Sequence, residues 1–269
     1  MSMIKILFLG EIVGRAGIAA VKKGLDGIKK KYEIDYTVAN GEGVTNGFGL
    51  GKAHALQLFK MGIDLIAGGE KLFYKIDMVE FLPKASFVIR PINYPQQTPG
   101  RSVKNITIKD RKIVIINLQG NSDMRQNIQN AFISIEGFLK KVEPDTIPIV
   151  FFHASTTAEK ATMLHYLDGK AAAVIGTHTK VLSADEFVTD KGTGYISDNG
   201  RVGSFMSVGG FDPDTEIQKF KSQIPVRSRE GWDDGIIQGV IVEINEITGL
   251  CEHIIPLKEK VSVERPKEN

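Results

Sequence analysis

Seven polar side chains in this 269-residue sequence follow closely on short apolar runs: Glu11, Glu42, Glu70, Lys71, His153, His178 and Lys180. Carboxylate and imidazole are the groups that hard and borderline divalent metals take as ligands. An apolar run of four to eight residues bounded by glycine reads as a buried strand, and a strand end is a rigid place from which to present a ligand. Five such strand ends carrying these groups are expected to converge on one metal site. In Val174-Ile-Gly-Thr-His-Thr-Lys180, residues two apart on an extended chain point the same way. His178 and Lys180 are therefore expected to leave the strand tip on one side and reach a shared site.

The elements that must position these groups follow from pattern. Ile4 to Leu9 reads as a strand, Gly10 to Gly14 as a turn, and Ala16 to Tyr32 as a helix carrying Ile18, Val21, Leu25 and Ile28 on one face. Strands follow at Tyr36–Ala39, Asp64–Ala67 and Phe87–Arg90, with helices over Lys52–Met61 and from Lys71 to about Leu82. Val103–Ile108 and Lys112–Leu118 alternate around Lys109-Asp-Arg111, which signals a hairpin. Ile128–Val142 is an amphipathic helix, Ile147–Phe152 a strand, and Thr156 with Glu159 a capping box for the next helix. Asp212 and Pro213 sit at N-cap and first helical positions, and Gly235–Ile244 with Leu250–Ile255 closes the chain as a hairpin. Alternating strands and helices followed by hairpins predict an α/β fold, two mixed β-sheets between helices. It is expected as a single domain over residues 1–260, with a charged tail from 261 to 269.

Composition excludes several classes. The 42% hydrophobic content supports a core of full size. The single cysteine, Cys251, permits no internal disulfide and suits a reducing compartment, where it reads as a small buried hydrophobe. No apolar run approaches a membrane span, so the expected location is cytoplasmic, without membrane contact. A formal net charge of +2 gives no strong nucleic-acid signal. Lysines 22, 23, 29, 30 and 31 read as the solvated face of a helix.

The series Gly10-Glu-Ile-Val-Gly14, Asn40-Gly-Glu42, Gly68-Gly-Glu-Lys71, His153-Ala and Gly176-Thr-His-Thr-Lys180 resembles the motifs of calcineurin-like metallophosphoesterases, in their YmdB-like bacterial branch. The resemblance also takes in Arg90-Pro-Ile-Asn-Tyr-Pro95, Ile116-Asn-Leu-Gln-Gly120, Asp168-Gly-Lys-Ala-Ala-Ala173 and Lys191-Gly-Thr-Gly-Tyr-Ile196. It implies a four-layer sandwich with two divalent metals bridged by a carboxylate, acting on phosphodiesters of the cyclic-nucleotide class. Matched position by position, Glu11 stands where the family has aspartate, Glu42 matches the bridging carboxylate, and Gly43 replaces a phosphate-contacting asparagine. Glu70 and Lys71 replace an Asn-His pair, a metal ligand followed by the general acid. His153 and His178 match ligand histidines, and Lys180 replaces the closing histidine.

By that match one metal position keeps four capable ligands, Glu42, Glu70, His153 and His178. The other is left with Glu11, Glu42 and a lysine. A protonated ammonium does not ligate, so Lys180 is expected to take the place of the missing cation and neutralise Glu11 and Glu42. Lys71, among carboxylates, is expected to stay charged and clamp phosphate. The implied cofactor is one divalent ion per chain, Fe, Mn or Zn, and the implied ligand a phosphodiester or cyclic nucleotide. The alternative is a catalytically silent relative that senses a ligand or binds a partner.

The remaining candidates read blandly. His54, His165 and His253 read as surface or packing residues, Asp198-Asn-Gly200 as a turn, and Trp232 as a residue that could line a substrate rim or a homo-oligomer contact. The glycine loop after Glu42 lacks the Gly-Lys-Ser/Thr ending of a phosphate-binding loop. Ser155 and Thr157 have no unassigned histidine partner for a serine-hydrolase site.

Overall fold

The computed structural model describes residues 2–123 and 126–265. Its elements in order are β1 (Met3–Ile12), α1 (Gly14–Tyr32), β2 (Tyr36–Asn40), α2 (Lys52–Lys60), β3 (Leu65–Ala67), α3 (Ile76–Phe81), β4 (Val88–Ile89), β5 (Val103–Ile108) and β6 (Arg111–Gln119). They continue with α4 (Ala131–Leu139), β7 (Ile147–His153), α5 (Thr157–Leu167), β8 (Ala173–Thr177), β9 (Phe187–Val188), β10 (Gly194–Ile196), β11 (Arg201–Ser204), α6 (Pro213–Ser222), β12 (Gly235–Asn245) and β13 (Cys251–Val261).

One sheet runs β13-β12-β11-β1-β2-β3-β4 and the other β5-β6-β7-β8-β10-β9. Both are mixed: β1, β2, β3 and β4 are parallel, as are β6, β7, β8 and β10, while β12, β13, β5 and β9 pair antiparallel. Alternation along β1 sets the layering. Ile4, Ile6 and Phe8 face the second sheet and pack with Ile115, Ile149, Phe151 and Ile175, Phe8 meeting Phe151 at 5.6 Å between ring centres. Leu7 and Leu9 face outward with Val21, Leu25 and Leu58 of α1 and α2. Helices α4 and α5 cover the other sheet through Ile135, Met163 and Leu164. The α/β architecture of two mixed sheets flanked by helices is as expected.

The two sheets meet at their carboxyl ends, and three asparagines tie the seam. Asn40 donates to Thr177 Oγ1 at 3.1 Å, and Asn117 to the Gly68 carbonyl at 2.8 Å. Asn199 donates to the carbonyls of Phe8 and Leu9 at 3.2 and 2.9 Å. Buried backbone carbonyls at an irregular strand end need such partners.

Several local expectations are corrected. The helix expected over 128–142 begins only at Ala131, because Asn130 caps it by accepting from the backbone of Phe132 and Ile133. The helix expected from Lys71 breaks at extended Lys75 into a single 3-10 turn, Leu72–Tyr74, and α3. Thr156 caps α5 through Glu159 N, but the Glu159 carboxylate accepts from Asn121 N (2.7 Å) and Ser122 N (3.1 Å) and so holds the loop after β6. Asp212 and Pro213 open α6 as expected. The tail expected from 261 starts inside β13 at Val261, and residues 266–269 lie outside those described. Cys251 is buried and its thiol is pushed up to about 12 by that burial. Among the described residues no helix is long and apolar enough to cross a membrane.

Asn199→Ala removes two hydrogen bonds that join the β10–β11 turn to β1. Losing both bonds is expected to lower stability by about 1 to 3 kcal/mol. Urea denaturation checks this, and an unchanged midpoint contradicts it.

Candidate metal centre

Glu11 lies near the end of β1, where the pairing register with β2 shifts between Leu9 and Glu11. Its amide donates to the Gly200 carbonyl at 3.0 Å, and Gly10 permits that approach, since a Cβ there would lie 2.2 Å from the Gly200 backbone. The Glu11 carboxylate has no access to water, and Lys180 Nζ stands 3.2 Å from it. Gly43 explains why this longer carboxylate fits: a Cβ at 43 would meet Glu11 Oε1 at 2.5 Å. The glutamate therefore fills the space that a side chain at 43 would need. Glu11 and Gly43 thus constrain each other sterically.

After β2, Asn40 Oδ1 accepts from Glu42 N at 3.0 Å and turns the chain so that Glu42 points into the seam. After β3, Gly69 leaves room for two ligands at once, because a Cβ there would come within 2.3 Å of the His153 ring and 2.4 Å of Glu42 Oε2. Glu70 Oε2 lies 2.5 Å from His153 Nε2, and His178 Nδ1 lies 3.0 Å from the same nitrogen. Glu42 Oε1 is 3.4 Å from His153 Nε2. One ligand atom from each of Glu42, Glu70, His153 and His178 falls within 4.8 Å of the other three.

The loop after β8 carries His178 and Lys180 in different directions. Both have positive φ, 119° and 64°. The backbone turns at each, so the expectation that they leave on one side fails: His178 reaches Glu70 and His153, whereas Lys180 reaches Glu11. Asp198 enforces the turn, its Oδ2 accepting from Thr179 N at 2.8 Å while its Oδ1 accepts from Gly200 N at 3.0 Å. Asp198 is matched in turn by Lys160, fully buried in α5, at 3.1 Å. Sequence reading passes over this pair: Lys160 looks like any helical lysine, and Asp198 sits in a turn signature.

Lys180 was expected to serve both Glu11 and Glu42, and the division differs. Lys71 Nζ sits 3.1 Å from Glu42 Oε1 and 2.9 Å from Glu70 Oε1, which leaves Glu11 to Lys180. Lys71 is nearer because it follows Glu70 on the same turn. Burial opposes its charge, but the carboxylates of Glu42, Glu11 and Glu70 outweigh burial and raise its pKa. Glu70 is held low against burial by His153 and Lys71. His153 is likewise raised against burial by Glu42 and Glu70, and His178 is lowered to about 3 by burial and then by its charged neighbour.

His54 pairs with Thr45 Oγ1 at 2.9 Å, and His253 with Glu243 at 3.1 Å. His165 sits exposed in α5. None of the three joins the cluster.

A divalent ion fits the first position, since two imidazole nitrogens and two carboxylates converge there with compatible chemistry. A second position beside it is chemically poorer. Its donors would be Glu11, Glu42 and an ammonium, with no side chain from position 43.

Comparison with known proteins follows the same lines. A profile of the YmdB-like protein family matches residues 7–257. A Bacillus subtilis protein described as 2',3'-cyclic-nucleotide 2'-phosphodiesterase is 33% identical over 97% of this chain and 96% of its own length. A crystal structure described as a novel phosphatase from Mycoplasma pneumoniae superposes with a TM-score of 0.91 at 30% identity, covering 97% of this chain and 95% of that one. A calcineurin-like phosphoesterase of Bacillus subtilis, at 13% identity and TM-score 0.51 over 97% of this chain and 90% of that one, shares the fold alone. The chain belongs to the YmdB-like family.

Removing the Lys180 ammonium strands the Glu11 carboxylate in a site without water. Lys180→Met is expected to cost about 3 to 5 kcal/mol, most of it regained in Glu11→Gln/Lys180→Met. Urea unfolding of both variants measures this, and additive losses would contradict the pairing.

Proposed function

We propose that this member of the YmdB-like family is a metal-dependent phosphodiesterase that works with one divalent ion, Fe, Mn or Zn, on phosphodiesters of the cyclic-nucleotide class. Glu42, Glu70, His153 and His178 hold the ion, and Lys71 and Lys180 act as fixed charges. The observation that carries the reading is the convergence of those four ligands within 4.8 Å, with two ammoniums at their edge. A relative described as a 2',3'-cyclic-nucleotide 2'-phosphodiesterase, matched across nearly its whole length, supports the substrate class.

Charge supports it as well. With a dication in place of the His153 proton, three carboxylates, two ammoniums and the ion leave one positive charge. A phosphodiester carries one negative charge and completes the balance.

A bound divalent ion supplies Lewis-acid polarisation of a phosphoryl oxygen and a more acidic water. The chain supplies the rest. Lys71 and Lys180 flank the ligand cluster on different strand ends, so an anion against it meets both ammoniums before any carboxylate is freed. His178 stays neutral near pH 7 and keeps its lone pair, while Ser155 Oγ at 3.3 Å from its other nitrogen sets the ring. Lys71 is too basic to release a proton near neutral pH, so the position that holds the family's general acid donates none. Loss of a positioned acid costs roughly 10² to 10⁴ in rate, felt most by poor leaving groups.

Turnover is therefore expected to depend steeply on the leaving group. With Mn present, p-nitrophenyl phosphodiesters should react at least about a hundredfold faster than a 2',3'-cyclic nucleotide. Lys71→His should narrow that gap, and His153→Ala should abolish both activities. Absence of hydrolysis of either substrate with Fe, Mn or Zn contradicts the reading.

A further inference from the structure

A groove of about 380 Å³ is lined by Arg15, Asn46, Arg227, Arg229, Trp232 and Arg265. It combines four arginines with a single carboxylate, Glu230, an excess of three positive charges. Glu230 is committed to one of them. Its oxygens accept from Arg15 N at 3.2 Å and Arg15 Nε at 3.0 Å, which holds the Arg15 guanidinium 5.8 Å over the Trp232 ring. Arg227 and Arg229 project from an extended, exposed stretch that follows α6.

The groove is tied to the centre through the chain, Gly14 N donating to the Gly43 carbonyl at 3.0 Å between Arg15 and Glu42. Arg15 comes four residues after Glu11, and Asn46 four residues after Glu42, so neither α-carbon stands more than about 14 Å from that of its ligand residue. The loop carrying Asn46 continues through Gly47 to Phe48, which stacks on Phe211 at 5.5 Å, and Lys180 Nζ lies 5.1 Å over that same Phe211 ring. A continuous rim thus runs from the Lys180 ammonium to the arginines. At about 3.4 Å per stacked nucleotide, that upper bound corresponds to at most about four nucleotides.

We propose that this groove binds single-stranded nucleic acid, and that the phosphodiester presented to the centre is the end of an oligonucleotide rather than a free mononucleotide. This rests on the phosphodiesterase reading for the reacting end, while the groove itself is tested by binding alone. Guanidinium groups take phosphate oxygens in paired hydrogen bonds, and an indole beside them offers a face to a base. A net charge of only +2 gives no hint of this, because Arg15 is more than two hundred residues from Arg227, Arg229 and Arg265 and meets them only in the fold.

Trp232 is the single tryptophan, so its fluorescence reports the groove directly in the unmodified protein. The probes are an eight-nucleotide adenine RNA, adenosine monophosphate and a linear polyphosphate of the octamer's charge. The octamer should quench Trp232 and bind at least tenfold tighter than either control. Phosphate contacts from Arg227 and Arg229 predict an affinity loss of roughly sevenfold between 50 and 200 mM salt, which Arg227→Ala/Arg229→Ala should largely remove. Quenching without hydrolysis of any phosphodiester would remove the phosphodiesterase reading and leave the groove in place. Hydrolysis of cyclic mononucleotides without quenching by the octamer overturns the groove. So does polyphosphate binding equal to that of RNA, or an arginine variant with the parent's affinity and salt dependence.

Discussion

Three carboxylates, those of Glu11, Glu42 and Glu70, sit at the joined ends of two sheets with little or no access to water. A charge withdrawn from water in this way is tolerated only beside an opposite charge and hydrogen-bond donors. That constraint accounts for most of what surrounds them. Lys71 rises from the same turn as Glu70 to meet Glu42, Lys180 arrives from the far sheet to meet Glu11, and His153 lies between Glu42 and Glu70. The two positive-φ residues at 178 and 180 cost backbone strain. They persist because Asp198, anchored by Lys160, fixes the amide between them.

The same constraint links changes that look independent in sequence. A glutamate at 11 needs the volume that a side chain at 43 would occupy, so Gly43 follows from Glu11. A glutamate at 11 without a second cation needs an ammonium, so Lys180 follows too. The three positions are linked by packing and by charge, with the Lys180 ammonium 3.2 Å from the Glu11 carboxylate. The first metal position is untouched by this: Glu42, Glu70, His153 and His178 remain a four-ligand set.

Much of the scaffold is legible in the chain because the strands are mostly apolar runs, such as Ile4 to Leu9, broken only at Lys5, and Ile147 to Phe152. The ligand cluster is legible for the same reason, since every member lies at or just after a strand end. Elements that tertiary contacts create are not. Strand β11 is four residues with a central glycine and exists because it pairs with β1 and β12. Helix α4 starts late because a single asparagine captures its first amides. The partner of each lysine was legible only in sum: charge balance requires two ammoniums, but the reach of a side chain from its own turn decides which carboxylate each one meets. The arginine groove lay beyond sequence reasoning, because Arg227, Arg229 and Trp232 form one short stretch whose meeting with Arg15 and Asn46 is set only by the fold.

The account turns on one cation of the side-chain kind and one of the metal kind, so the most direct test is the metal content of each chain purified without chelator, with the ion located by anomalous scattering. The account predicts one ion per chain, bound between His153 and His178 and touching Glu42 and Glu70, with Lys180 still against Glu11. Two ions per chain, the second displacing Lys180 from Glu11, would contradict it.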